Sequence, residues 1–286
     1  MGGIYWLASY PKSGNTWFRA VLANYMSDSE APVGINELNT GAIASSRGWV
    51  DDVIGFDTAD LTQAEVQSLR PRVYRWASRD DAVGYHKIHD AYSCDDDGRP
   101  LVDDLATLGA IYLVRNPLDV APSLANHNGI DIDGAISLMA NPNHALARGT
   151  KSLKDQLLQV MGTWSDHVNS WTRAPDLNLM ILRYEDMLAK PTEAFGQALT
   201  FLGLSVEATR LARAIGFSTF DALSAQEAQT GFRERPGKAE RFFREGRAGS
   251  WREALTSAQV DRIIGTHHDV MTRFGYLDAE GNLPLP

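Results

Sequence analysis

The chain has 286 residues, 44% hydrophobic and 22% charged, which is the size and balance of one α/β domain able to bury a sizeable core, and no stretch has a disordered composition. A formal charge of -9 excludes a general binder of nucleic acid or acidic membranes, so an anionic ligand has to be held by local basic groups. The single cysteine, Cys94, excludes an intrachain disulfide and a cysteine-based zinc site and suits a reducing cytoplasm. The first residues carry no basic leader pattern, and no apolar run reaches membrane-span length.

Residues 4–9 (IYWLAS) form a short apolar run that stops at Tyr10-Pro11. The next apolar set, Trp17, Phe18, Val21, Leu22, Tyr25 and Met26, recurs at helical spacing, so this segment reads as strand, tight loop, helix. Residues 27–62 are rich in Gly, Asp, Asn and Ala with weak periodicity and read as mobile loops or short helices. VGYHKI (83–88) is a second strand. AIYLV (110–114) is a third, broken by Arg115-Asn116-Pro117 before a helix over about 118–127. Residues 128–150 resemble 27–62 in composition. A helical pattern through Trp164, Val168 and Trp171 leads to a fourth strand, LMIL (179–182), and the later chain is mainly helical. Strands alternating with helices imply a mostly parallel central sheet between helix layers, a three-layer α/β fold. With no repeat or linker, residues 1–286 read as a single domain.

All four strands end in polar, reactive residues. The first leads to Lys12-Ser13-Gly14-Asn15-Thr16, the second to His89, the third to Arg115 and the fourth to Arg183-Tyr184-Glu185-Asp186. Ligands of open α/β sheets sit beyond these carboxyl ends, so the convergence marks a candidate active site. The first loop suits an oxyanion. Gly14 lets backbone approach, the amides of Asn15, Thr16 and Trp17 open a helix, and Lys12 adds charge. Lys12 precedes the glycine, which disfavours a Walker A loop. From its residues alone, the loop fits a phosphate or sulfate cradle or a structural turn with a solvated lysine.

The segment Tyr10–Trp17, YPKSGNTW, resembles the 5′-phosphosulfate loop YPKSGTTW of the cytosolic sulfotransferase family, and its opening and LVRNPxD run resemble the bacterial branch that includes glycopeptide-antibiotic sulfotransferases. The resemblance covers about residues 4–252. It implies a P-loop-like sulfotransferase fold and an enzyme that uses 3′-phosphoadenosine 5′-phosphosulfate (PAPS) as donor, releases 3′-phosphoadenosine 5′-phosphate (PAP), and needs no metal. It places Arg115 and, eight residues later, Ser123 on the 3′-phosphate, where the planar guanidinium suits phosphate. Read by itself, Arg115 is equally an ion-pair partner for Asp119. Lys87-Ile88-His89 resembles the family's Lys-Thr-His, implying His89 as base and Lys87, on the same strand face, as a charge stabiliser; His86 has the opposite parity. Ser13 and Ser123 would orient Lys12 and the phosphates.

Residues 232–252 hold seven Arg or Lys against three Glu, a basic island in an acidic chain. Its centre, Phe242 to Trp251, resembles FxRKGxxGDW, which implies nucleotide contacts at Arg244, Glu245 and Gly246. Glu245 stands at the family's lysine and Ser250 at its aspartate, and whether Arg247 compensates is left open. Tyr184 and Ser218-Thr219-Phe220 match smaller nucleotide segments, with Trp17, Phe220 and Phe242 expected around the adenine, although each aromatic also fits a packing role. The family's dimerisation segment is not evident, so a homodimer by that route is not expected and one by another stays open. The acceptor is expected to be a small or medium-sized alcohol or phenol, bound by segments 27–62, 128–150 and 225–241 through Trp49, Phe56, Ile130, Met139 and Phe232. Two other classes stay open: a P-loop-like nucleotide kinase or hydrolase, and a non-catalytic binder of adenosine 3′,5′-bisphosphate.

Overall fold

The structure, a computed structural model, describes residues 2–79, 82–95, 97–102, 104–149 and 153–284. In chain order it runs β1 (Gly3–Ser9), α1 (Asn15–Ser27), α2 (Arg47–Ile54), a short 3-10 turn (Thr58–Asp60), α3 (Gln63–Ala77), β2 (Val83–Ile88), β3 (Thr107–Val114), α4 (Pro117–Asn128) and α5 (Ile132–Met139). A small antiparallel pair, β4 (Ala145–Leu146) and β5 (Gln159–Val160), precedes α6 (Trp164–Thr172) and β6 (Leu179–Arg183). The helices α7 (Tyr184–Ala189), α8 (Pro191–Phe201), α9 (Ala208–Phe217), α10 (Phe220–Thr230), α11 (Trp251–Ala254) and α12 (Ser257–Arg273) follow.

The expected α/β class holds: four strands form a central sheet in the order β2-β1-β3-β6, with β1 parallel to β2. β3 begins at Thr107, three residues before the apolar run predicts, because backbone pairing continues beyond it; Ile4 donates to the carbonyl of Ala106 at 2.8 Å. The segments expected as loops or short helices contain α2 and α5, each only eight residues long.

Packing separates the chain into two compact units, each drawn from three stretches. The first comprises Met1–Tyr10, Thr40–Tyr112 and Asn141–Ile181. Here β1 is buried almost throughout, which explains why its sequence is a continuous apolar run rather than an alternating one. The register places Leu7 opposite Lys87 and Ala8 opposite Ile88, so the two strands end level with each other. Trp6, Tyr74, Tyr112, Trp164 and Trp171 are essentially inaccessible and anchor this core, each such side chain contributing on the order of 2–3 kcal/mol by leaving water. Arg70 is fully buried and grips both oxygens of Asp90, at 2.7 and 2.8 Å, which fixes the residue that follows His89.

The second unit comprises Pro11–Asn39, Leu113–Ala140 and Leu182–Pro286. In it α1 packs on α9, α4 on α5 and α12, and α7 on α8. A cluster of Ala20, Ile35, Leu223 and Phe232 is covered by the half-buried Trp17, Leu38, Phe242 and Phe243. Among the described residues no helix is long and apolar enough to cross a membrane.

Candidate active site

The loop after β1 has an unusual backbone. Lys12 has φ 71° and Gly14 φ 96°, so two left-handed residues flank Ser13 and turn successive amides toward one side, the geometry of an anion-binding nest. For a lysine that conformation costs about 1 kcal/mol or more, which is how strain is retained at binding loops. Gly14 is also sterically obligatory, since a Cβ there would meet the Tyr184 ring at 2.7 Å. It precedes α1 without a side-chain cap, at the helix end whose backbone donors suit an anion. Ser13 is fully buried and its hydroxyl has no partner among the described residues.

Arg115 is 8% exposed and binds two backbone carbonyls, Nη1 to Lys12 O and Nη2 to Arg247 O, both at 3.1 Å. Its guanidinium lies 4.3 Å from the centre of the Tyr184 ring. The Nε atom is buried and lacks a partner among the described residues. The alternative of an Arg115–Asp119 ion pair is set aside by what Asp119 does: its carboxylate accepts from Gly249 N at 2.7 Å, Ser250 Oγ at 3.1 Å and Trp251 N at 3.0 Å. Ser250, at the family's aspartate position, is therefore a donor to an aspartate on α4. Glu185 performs a similar service, accepting from Asn116 N and from the Tyr276 hydroxyl, both at 3.0 Å, while burial pushes its carboxyl above the usual range.

Trp17 packs edge-on against Tyr184 and Phe195. The Lys12 ammonium lies over the Phe242 ring, 3.9 Å from its centre, and 3.5 Å from His127 Nδ1. Phe242 is edge-on to Phe232, Phe243 and His127. Phe220 is pressed against Gly246, whose φ of 63° and lack of a Cβ allow that approach. Thr219 caps α10 by accepting from Ala222 N, and Ser218 is fully buried with its hydroxyl accepting from Asn24 Nδ2 at 3.1 Å. Ser123 is half-buried on α4. Glu245 sits between two arginines, 2.8 Å from Arg244 and 3.4 Å from Arg247. Arg247 also pairs with Glu253 at 2.6 Å, so its guanidinium is committed to carboxylates. Lys12, Gly14, Arg115, Tyr184, Phe242 and the Arg247 backbone thus form one connected group inside the second unit.

In the first unit, β2 is followed directly by His89, half-buried, whose Nδ1 donates to the Ser9 carbonyl at 2.7 Å. That bond fixes the tautomer and leaves Nε2 as the basic ring atom. His86 bonds the Ala42 carbonyl through Nδ1 at 2.9 Å and stacks on Trp49. Lys87 is half-buried on the same strand. The backbone of His89 is held from α6: His167 Nε2 donates to its carbonyl at 2.9 Å, while His167 Nδ1 accepts from the Tyr112 hydroxyl at 2.8 Å. Next to it, Trp171 Nε1 donates to the Asp90 carbonyl at 2.9 Å.

His167 carries a pH signature. Burial lowers its pKa from 6.5 to about 4, so it is neutral near pH 7. Because the folded value lies below the unfolded one, its stabilising contribution is whole above about pH 6.5 and is lost as pH falls toward 4. Unfolding free energy should therefore decline through that window, by up to about 1.4 kcal/mol per pH unit for one proton. His86 and His144 are lowered by burial too and add to the slope. His167→Gln keeps an N–H for the His89 carbonyl but takes up no proton, so denaturant melts of this variant should show a shallower decline than wild type. Parallel curves would reject the assignment.

The expected acceptor-binding side chains divide. Met139 is fully buried, and Trp49 is stacked on both His86 and Tyr74. Phe232 belongs to the apolar cluster of the second unit. Phe56 and Ile130 remain accessible, at 51% and 38%. Sequence reasoning missed His127 and His167, gave Glu185 only among the residues that follow the fourth strand, and gave Asp119 only as an ion-pair partner. One signal was readable: Asp119, Ser123 and His127 are spaced by four and share a helical stripe.

A family model for the sulfotransferase domain matches residues 107–275. Sulfotransferase 2A6 of Rattus norvegicus is 24% identical over 274 residues, covering 94% of this chain and 84% of its own. Among solved structures, mouse sulfotransferase SULT7A1 complexed with PAP is similar in fold, with TM-score 0.61 and 19% identity over 94% of this chain and 84% of that one. Retinol dehydratase in complex with retinol and PAP is similar to the same degree, with TM-score 0.60 and 18% identity over 99% of this chain and 83% of that one. The family match spans more than half of the sequence and falls on the segments that carry Arg115, Asp119, Tyr184 and the 242–251 loop, and the chain belongs to the sulfotransferase domain family.

Proposed function

We propose that this sulfotransferase takes the sulfuryl group from PAPS and passes it directly to a hydroxyl of a small or medium-sized acceptor, leaving PAP. The observation that carries the reading is the state of Arg115 and Ser13. Arg115 ties the Lys12 loop to the 242–251 loop through two carbonyls, and the buried Arg115 Nε and Ser13 Oγ are donors that the described protein does not satisfy. Buried polar atoms are almost always paired, so two orphan donors, one in the Lys12 loop and one on the arginine that binds it, point to an anionic ligand with several acceptor oxygens. Two solved structures of similar fold hold PAP.

In this reading Lys12, Ser13, Gly14 and the amides of Asn15, Thr16 and Trp17 hold the 5′-phosphosulfate. Arg115, Ser123 and the Arg244–Glu245–Gly246 segment hold the 3′-phosphate, with Ser218 and Thr219 shaping the α9–α10 junction beside it. Trp17, Tyr184, Phe220 and Phe242 provide apolar faces for the adenine. PAPS supplies the activated sulfur. A bond forms between the acceptor oxygen and sulfur while the bond from sulfur to the phosphate oxygen breaks, and the electron pair stays on the departing PAP. His89 Nε2 takes the hydroxyl proton, and Lys12 and Lys87 offset charge on the transferring oxygens. A hydrophobic alcohol or phenol suits the exposed Phe56 and Ile130, and retinol, seen with retinol dehydratase, is an alcohol of that kind. The motif likeness favours a bacterial source, and the single, exposed Cys94 favours a reducing cytoplasm.

Thermal denaturation tests the donor assignment. PAP should raise the melting temperature without magnesium, and AMP, lacking the 3′-phosphate, should raise it less. Incubation with PAPS and a panel of phenols, steroids, sugars and peptides should yield products heavier by one sulfuryl unit. Magnesium-dependent transfer from ATP would favour the kinase class instead, and a PAP shift without any sulfated product would favour a simple binder.

A further inference from the structure

We infer that His127 is a positioning residue for the Lys12 ammonium, an assignment that rests on Lys12 serving the transferring group as proposed above. Lysine is a point charge on a flexible stem, and it acts at a reaction centre only when something fixes where the charge sits. Two of its contacts bear on this. Phe242 lies beneath the ammonium, its ring centre 3.9 Å from Nζ, and His127 Nδ1 accepts from Nζ at 3.5 Å. The two holders also brace each other, since the His127 ring stands edge-on to Phe242 at 5.9 Å and 77°. Phe242 is in turn wedged by Phe232 and Phe243, so the face offered to the ammonium is rigid.

The placement of His127 follows from its helix. It lies in the last turn of α4, two turns beyond Asp119, which anchors residues 249–251, and one turn beyond Ser123. One helical stripe therefore carries the anchor of the 242–251 loop, a hydroxyl and the acceptor for Lys12. The chemistry is also directional. Nδ1 accepts from an ammonium only through its lone pair, so the imidazole is neutral with its proton on Nε2, and it aims Lys12 without adding a competing cation.

The inference is tested with three single variants and one double variant, using PAPS and a phenol that wild type sulfates. His127→Ala should lower kcat about 10- to 100-fold, the range expected when a charged hydrogen bond is lost, while PAP affinity stays within about threefold. His127→Asn, whose side-chain oxygen reaches the place of Nδ1, should recover most of the loss. Lys12→Ala should set the floor, and Lys12→Ala with His127→Ala should fall no lower. Independent losses in the double variant, an Asn variant no better than Ala, or an Ala variant with wild-type kcat would each overturn the inference. NMR of 15Nζ-labelled lysine reads the same contact without donor or acceptor: the Lys12 ammonium resonance should be protected from exchange in wild type and His127→Asn and lost in His127→Ala. A resonance unaffected by His127→Ala would refute the inference, whereas wild type that neither binds PAP nor transfers sulfuryl would refute the donor assignment instead.

Discussion

His89→Ala should reduce kcat for sulfuryl transfer by about 10²- to 10⁴-fold and leave PAP affinity nearly unchanged, the split expected of a general base that takes no part in donor binding. The expectation rests on the tautomer. Ser9 is at the last position of β1, level with the end of β2, and its carbonyl takes the Nδ1 proton of His89 at 2.7 Å. The ring is thereby oriented and its basicity assigned to Nε2. The Ser9 hydroxyl, 3.3 Å from Nδ1, lies on the same side and reinforces the orientation. His89→Gln is the stricter comparison, because it retains polarity and bulk but no basic atom, so it should be as impaired as the alanine variant. Steady-state kinetics with saturating donor, together with calorimetric PAP titrations, measure both quantities. Undiminished kcat in both variants would remove His89 from proton transfer and leave Lys12 and donor activation as the whole of catalysis.

What the sequence could disclose was set by range. Lys12, Gly14 and Thr16 fall within one loop and the first turn of α1, and Lys87 and His89 at the end of one strand, so local spacing carries their meaning. Arg115 and Ser123 were legible for the same reason, lying eight residues apart across a strand-to-helix turn. The tethers were not. Asp119 is joined to residues 249–251, Glu185 to Tyr276, and the His89 carbonyl to His167, and no local pattern reports a partner across such separations. Pocket and core roles could not be told apart for Met139 and Trp49, because an apolar residue in a weakly periodic segment looks the same whether it lines a pocket or fills a core. The short helices α2 and α5 explain this, since α2 turns only Val50 fully inward and α5 turns Ala135, Ile136 and Met139, while the flanks of both stay irregular.

Arg115→Ala should weaken PAP binding more than any other single change to the donor loops, by about 2–5 kcal/mol, or at least thirtyfold, because it removes a largely desolvated charge with directional donors. Arg115→Lys separates charge from geometry. A lysine keeps the positive charge, but a single ammonium lacks the planar fork with which the guanidinium reaches the Lys12 and Arg247 carbonyls, 3.1 Å away on each side, while presenting Nε to a ligand. The lysine variant should therefore fall between wild type and alanine, closer to alanine. Amide hydrogen exchange supplies a second readout. With the Arg247 carbonyl released, residues 244–248 should exchange faster in both variants, while the amides of Phe242 and Phe243, held by Glu227, and of Gly249 and Trp251, held by Asp119, should remain protected. Restoration of wild-type affinity by lysine would mean that Arg115 contributes only long-range charge, and the phosphate grip would then have to be assigned to Arg244 and the backbone amides of the loops.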